Sequence, residues 1–280
     1  MGESARDAHV DVTVPSAARM YDWLLGGSNN FLADRLACED LLKTAPSTRE
    51  LALNNRAFLR RVVRSIAEDY GIRQFIDHGS GLPTQDNVHQ IAQRIDPSCR
   101  VVYVDNDPIV LTHGRALLDE NDNIAIIEAD MTETDYVLGH EKLNSLIDFS
   151  KPVAALFVSV LHCIADDQGP AGAAKGPAAM IRRTAERLAP GSVLVICQLV
   201  SDDPEIRAAV TELMDQQTQG HWGAVRTQQD VRSYFEGLEI QPPDLLDVTD
   251  WLPDSELLPR QTSQEWIEYG GLAVVPEGYR

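Results

Sequence analysis

Phe75-Ile-Asp-His-Gly-Ser-Gly-Leu-Pro-Thr84, followed by Val101-Val-Tyr-Val-Asp105, decides how the rest of this chain is read. Apolar Ile72, Phe75 and Ile76 lead into Asp77, and Gly79 and Gly81 then permit a backbone turn without Cβ interference. Val88, Ile91, Ala92 and Ile95 recur at helical spacing, so the first stretch predicts a strand, a tight turn and a helix. The second stretch predicts a strand that ends in a carboxylate. At the carboxyl end of a parallel strand, Asp105 can accept hydrogen bonds from both ribose hydroxyls of a nucleoside.

Outward from this pair, apolar runs recur at 73–77, 101–104, 124–128, 153–159 and 193–199, with gaps long enough for crossover helices. The alternation predicts an α/β fold with a doubly wound, mainly parallel sheet. Helical stretches near 205–217 and 227–235 and strands at 238–248 and 269–275 complete a core over residues 71–280. Residues 168–177, rich in Gly, Ala and Pro, read as a loop that could form a lip.

Ahead of the core, residues 1–13 mix charges and small residues without a period and are expected to be a disordered tail. Residues 14–70 predict a helical extension. A first short helix carries Met20, Trp23 and Leu24 and breaks at Gly26-Gly27-Ser28-Asn29-Asn30; a second covers 33–43. Ser47-Thr-Arg-Glu50 has capping-box spacing, and Leu51, Phe58, Leu59, Val62, Val63 and Ile66 form the stripe of a long helix stopped at Gly71.

A formal charge of −19, from 43 acidic against 24 basic residues, would repel a phosphate backbone, so nucleic acid is not an expected partner. Arg60, Arg61 and Arg64 alternate with apolar residues as the wet face of a helix would. The 4 cysteines are widely separated and no His pair has ligand spacing, which predicts no metal site. No run approaches the roughly 18 apolar residues of a membrane span. The first dozen residues lack a basic start followed by an apolar stretch, so a cytoplasmic protein is expected.

Dinucleotide sites favour a third glycine where this chain has Thr84. The third strand discriminates further. Ile126-Ile-Glu-Ala-Asp130-Met131 places a carboxylate and a flexible apolar side chain beyond a strand flanking the same crevice. Asp130 could accept from an adenine amine, and Met131 could pack on the purine face. Asp130-Met-Thr-Glu133 also has capping-box spacing, so Asp130 could instead cap a helix.

Strands ending in Gly-x-Gly, Asp and Asp-Met resemble the S-adenosylmethionine site of class I methyltransferases. The resemblance extends to one actinobacterial family of S-adenosylmethionine-dependent methyltransferases, once classed as a domain of unknown function (DUF574-like). It is carried by Pro15-Ser-Ala-Ala-Arg19-Met-Tyr21-Asp22-Trp-Leu-Leu-Gly26-Gly27, Asn30-Phe-Leu-Ala-Asp34-Arg35, Asn54-Asn55-Arg56-Ala-Phe58 and Gly79-Ser-Gly-Leu-Pro-Thr84. Asn87-Val-His89, Tyr103-Val-Asp105-Asn106-Asp107-Pro108, Leu161-His162 and Tyr269-Gly270-Gly271 continue it, so that it spans residues 14–276. The chain departs from the family pattern at Ser28-Asn29, His78, Cys163 and Cys197-Gln198.

The resemblance implies a Rossmann-like sheet of seven strands with an N-terminal helical extension, and S-adenosyl-L-methionine as cofactor. Gly79, Ser80 and Gly81 would receive its methionine part with Asp77 anchoring the turn, Asp105 and Asn106 its ribose, and Asp130 and Met131 its adenine. Arg19 and Tyr21 would belong to a lid hinged on the double glycine, or to a fixed helical cap. Arg56 would pair with the cofactor carboxylate. Ser159 and His162 would lie beneath the transferring methyl group, with His162 as the candidate proton acceptor or as a structural histidine. The expected activity is methylation of a small-molecule oxygen or nitrogen; an NAD-dependent oxidoreductase and a non-catalytic cofactor-binding regulator are the alternatives.

Overall fold

The computed structural model describes residues 11–83, 86–118, 121–166, 175–253, 261 and 265–279. The expected tail falls largely, the Thr84 position wholly, and most of the 168–177 loop outside them. Strands β1 (Gln74–His78), β2 (Arg100–Asp105), β3 (Ile124–Glu128), β4 (Ala154–Val158) and β5 (Val193–Val200) are parallel. Two-residue strands β6 (Glu239–Ile240) and β7 (Leu246–Asp247) and the long β8 (Ile267–Val274) follow, and β8 runs antiparallel to β5. The order is β3-β2-β1-β4-β5-β8-β6, with β7 pairing on β8 off this path.

The path itself holds the expected seven strands, but the described residues form eight. The run expected as one strand at 238–248 is divided, because Pro242 and Pro243 lie in its middle and a proline has no N–H to donate to a ladder. The antiparallel β5–β8 pair is unusually close at Gly270, where a Cβ would sit 1.9 Å from the Ile196 carbonyl oxygen. Only glycine fits there.

Helices α1 (Ala17–Leu24), α2 (Leu32–Thr44) and α3 (Thr48–Glu68) precede the sheet. Between strands come α4 (Val88–Ile95), α5 (Pro108–Leu118), α6 (Thr134–Gly139), α7 (Glu141–Leu146) and α8 (Pro177–Arg187), then α9 (Pro204–Gln217) and α10 (Gln228–Ser233). Successive strand residues point to opposite faces, so each parallel strand is apolar on both. Ile76, Val102 and Phe157 pack with α6, α7 and α8 on one face; Phe75, Val101 and Leu156 pack with α3 and α4 on the other. A third cluster joins α1, α2 and the start of α3 to α9 through Met20, Leu41, Leu51, Met214, Trp222 and Trp266.

Two local expectations are corrected. Ser47 stands at the N-cap of α3 without a side-chain capping bond; its N–H donates instead to Glu265 Oε1 at 2.9 Å. Arg61 is not on a wet face but buried, donating to the carbonyls of Trp251 at 2.9 Å and Val248 at 2.5 Å. The C-terminal segment covers this side of α3, and a guanidinium with five donors serves its turning backbone. No helix among the described residues is long and apolar enough to cross a membrane.

Candidate active site

The strand order reverses between β1 and β4, and in open α/β sheets ligands bind at the carboxyl ends of the strands at such a switch point. A cavity of about 710 Å³ opens there. The loop after β1 forms its floor. Gly79 and Gly81 both have φ +65°, a conformation that side chains with a Cβ rarely adopt. A Cβ on Gly79 would lie 2.2 Å from Val160 Cγ2 and 2.8 Å from Met131 Cε, so the loop after β1 is pressed against those after β4 and β3.

Asp105 ends β2. Its Oδ2 accepts from Gly81 N–H at 2.8 Å and its Oδ1 from Asp107 N–H at 2.9 Å, which joins the β1 and β2 loops. Burial raises its pKa, and those backbone bonds pull it back. Asp77, buried one strand away, is pushed up to about 7 by burial, against the attraction of Arg56 and with the repulsion of Asp105. Arg56 Nη2 donates to the Asp86 carbonyl at 2.9 Å, and Arg56 also lines the cavity.

Asp130 and Met131 follow β3 and line the same cavity. The capping role weighed for Asp130 is not formed. Its Oδ1 accepts from the N–H and hydroxyl of Thr132, both at 2.8 Å, and α6 starts later, with Glu133 at its N-cap. Ser80 and Asn106 line the cavity as expected.

Of the two readings of the extension, the contacts within it favour the fixed helical cap. Arg19 reaches the cavity wall, but its guanidinium is paired with Asp34 at 2.9 Å, both side chains buried. It holds α1 against α2. Tyr21 donates its hydroxyl to the Ala52 carbonyl at 3.1 Å and accepts from Asn55 Nδ2 at 2.8 Å. The double glycine is pinned, since the Asp22 carboxylate accepts from Asn29 N–H and Asn30 Nδ2, and a Cβ on Gly27 would strike it.

His162 sits in the 3₁₀ turn Leu161–Cys163 and lines the cavity beside Trp222. Its Nδ1 accepts from Leu199 N–H at 3.4 Å, which leaves the proton of the neutral ring on Nε2. Burial, with the nearby Arg226 charge, pushes its pKa down to about 3. In this tautomer the ring offers a donor, not an acceptor, at Nε2. His78 is a core residue, stacked on Phe157 at 4.2 Å between ring centroids.

Sequence reasoning missed Glu268, Asn55, Trp222 and Trp266, which all line the cavity. Glu268 had a signal: a lone acid inside the apolar run of β8, just before Tyr269-Gly270-Gly271. Among the described residues no three His, Cys, Asp or Glu side chains group as a metal site.

The residues present fit S-adenosylmethionine. The backbone approaches closely at Gly79, a buried carboxylate ends β2, a polarisable side chain ends β3, and a guanidinium faces Asp77. Fold and site together define a class I methyltransferase. The chain matches the S-adenosyl methyltransferase family over residues 3–276, and it belongs to that family. It is 35% identical to a methyltransferase candidate from Thermobifida fusca of known crystal structure, with a TM-score of 0.84, covering 98% of this chain and 100% of that one. With a DUF574 family protein from Streptomyces avermitilis it shares 31% identity at a TM-score of 0.84, over 95% of this chain and 99% of that one. No curated protein matches the chain. It is an S-adenosylmethionine-dependent enzyme, and the oxidoreductase and regulator alternatives are set aside.

Proposed function

We propose that this enzyme methylates an oxygen or nitrogen of a small molecule held between the sheet and the N-terminal cap. One observation carries the reading. The cavity does not end at the strand loops but continues into the third apolar cluster, where Leu41, Leu51, Leu199, Met214, Trp222 and Trp266 line it. A chamber roofed by α1 and α3 suits a compact apolar acceptor better than a macromolecular one.

When bound, S-adenosylmethionine supplies a methyl group on a positively charged sulfur, already activated for displacement. The protein's part is chiefly positioning. Asp105 would hold the ribose hydroxyls, Met131 would pack on the adenine and Asp130 would accept from its amine. The Gly79-Ser80-Gly81 backbone and Arg56 would receive the amino-acid end. Tyr21, fixed by Ala52 and Asn55, would wall the chamber and exclude water.

Calorimetric titration with S-adenosylmethionine, S-adenosylhomocysteine and NAD tests the cofactor assignments. Binding of the first two, lost in Asp105→Ala, is expected; unchanged binding in that variant would remove Asp105 from the site. Mass spectrometry after incubation with pooled small phenols and amines then tests the acceptor. Methylation of a protein or nucleic-acid acceptor, with none in the pool, would overturn the small-molecule reading.

A further inference from the structure

Glu268 has no place in the roles above, yet it is the most exceptional acid in the chamber. It is 2% exposed, and no Lys or Arg among the described residues forms an ion pair with it. A buried carboxyl without a cation is costly to keep and calls for a reason. Its Oε1 accepts from Ser159 Oγ at 2.5 Å, and its Oε2 lies 3.6 Å from the Cys197 thiol, whose one proton is shared with Asn55 Oδ1 at 3.3 Å.

Ser159 is held in an unusual backbone conformation. It directly follows β4 with φ +55°, a left-handed conformation sparsely adopted by residues other than glycine, and its N–H donates to the Cys197 carbonyl at 2.8 Å. Ser159 and Glu268 both line the cavity, next to Val160, whose side chain touches the Gly79 turn. The pair therefore stands where the cofactor floor meets the apolar chamber. His162, which also lines this part of the cavity, is committed to Leu199.

We propose that the chamber takes an apolar, ring-bearing acceptor with a phenol-like hydroxyl, and that Glu268, acting through Ser159 Oγ, takes the proton of that hydroxyl. The inference rests on the small-molecule reading of the same site. In the step, the acceptor's O–H bond breaks and its electron pair stays on oxygen. The proton passes to Ser159 Oγ while the serine's own proton passes to Glu268 Oε1. Glu268 ends neutral, Ser159 is restored, and the acceptor oxygen carries the charge that its methylation consumes. The aromatic walls, Trp222 and Trp266, suit a flat ring.

The surroundings support the assignment. Burial raises the Glu268 pKa, the bonds from Ser159 and Cys197 lower it, Asp247 raises it, and the result is about 7. The two thiols and the phenol facing it stay neutral. Cys163 and Cys197 are pushed up by burial and by Glu268 itself, Cys163 to about 12, and Tyr21 is raised chiefly by burial. Ionisation of Glu268 thus falls where a base is most effective at neutral pH.

The test uses the full chain saturated with S-adenosylhomocysteine, and 2-naphthol and 2-methoxynaphthalene as probes. A phenolic hydroxyl stays protonated through neutrality, so a pH dependence of binding reports the protein. Naphthol should bind on the order of 10-fold more tightly on the alkaline side of neutrality than on the acid side, the effect of a hydrogen bond to a charged group. The methyl ether should show no such change. Glu268→Gln should abolish the pH dependence for naphthol and Ser159→Ala should weaken it, both with unchanged circular dichroism. The same pH dependence in Glu268→Gln, or none in the parent, would overturn the proton role. If S-adenosylhomocysteine binds and neither naphthalene does, the ring-bearing acceptor is overturned. Loss of S-adenosylhomocysteine binding in the parent would fall on the cofactor site first and take this proposal with it.

Discussion

Ser16 Oγ donates to Asp107 Oδ2 at 2.7 Å, so the residue that opens α1 is tied to the loop leaving β2. The bond bridges cap and cofactor floor beside Asp105. Ser16→Ala should cost about 1 kcal/mol or less of global stability, as one partly buried hydrogen bond does. Limited proteolysis should show earlier cleavage within α1, and S-adenosylhomocysteine should restore protection.

Asp34 is the more demanding anchor. It accepts from Arg19 Nε, from Ser16 N–H at 3.0 Å and from Phe31 N–H at 2.8 Å, all at a fully buried carboxylate. Asp34→Ala leaves the Arg19 charge buried without its partner and should destabilise the protein by roughly 3–5 kcal/mol. Urea unfolding measures this. The double variant Arg19→Met with Asp34→Leu should recover much of the loss, because two apolar side chains leave no charge to compensate.

Gly79→Ala combines a positive φ with a clash against Val160 and Met131. Left-handed backbone costs roughly 1–2 kcal/mol and overpacking roughly 1–3 kcal/mol more. The variant should unfold at lower urea and bind S-adenosylmethionine weakly. Gly81→Ala is the control, since no atom lies within 4 Å of a Cβ there; it should show only the backbone part of the loss.

The buried titratable groups set opposing pH effects. The Glu268 pKa rises from 4.5 to about 7 on folding and that of Asp77 from 3.8 to about 7. Below the lower value both states hold the proton and nothing is lost. Between the two values only the unfolded chain releases it, so stability falls as pH rises, and above about 7 the loss is complete. For Glu268 this amounts to roughly 3 kcal/mol. His162 acts in the other direction: its pKa falls from 6.5 to about 3, so stability is lost as pH drops below 6.5. Calorimetric scans of Glu268→Gln should show a gain in Tm over the parent that is larger at alkaline pH than at pH near 5. An equal change at both would contradict the assignment.

The parallel core was legible because its strands are buried on both faces and read as apolar runs, and because Gly-x-Gly and Asp105 mark where they end. Asp130 and Met131 were legible for the same reason, as residues just past a strand. Side-chain commitment was not. Arg19 looked available for a ligand, but Asp34, from the next motif along the chain, claims it across 15 residues. Arg61 followed the polar rhythm of α3 and still became buried, since its cover comes from residues 187–190 positions later. Glu268 was hidden because its meaning comes from pairing: only the antiparallel register of β8 on β5 sets it across from Leu199 and beside Ser159.

Met214, Trp222 and Trp266 have two employers. They are buried members of the cluster that fastens the cap, and they also line the cavity in which the proposed acceptor would sit. Enlarging the chamber for a bulkier acceptor therefore removes mortar from the wall that holds α1 and α2 in place. Variants selected for new acceptors should lose thermal tolerance first in the cap, and repairs elsewhere in α2 or α9 should widen the range of acceptors the enzyme can be led to accept.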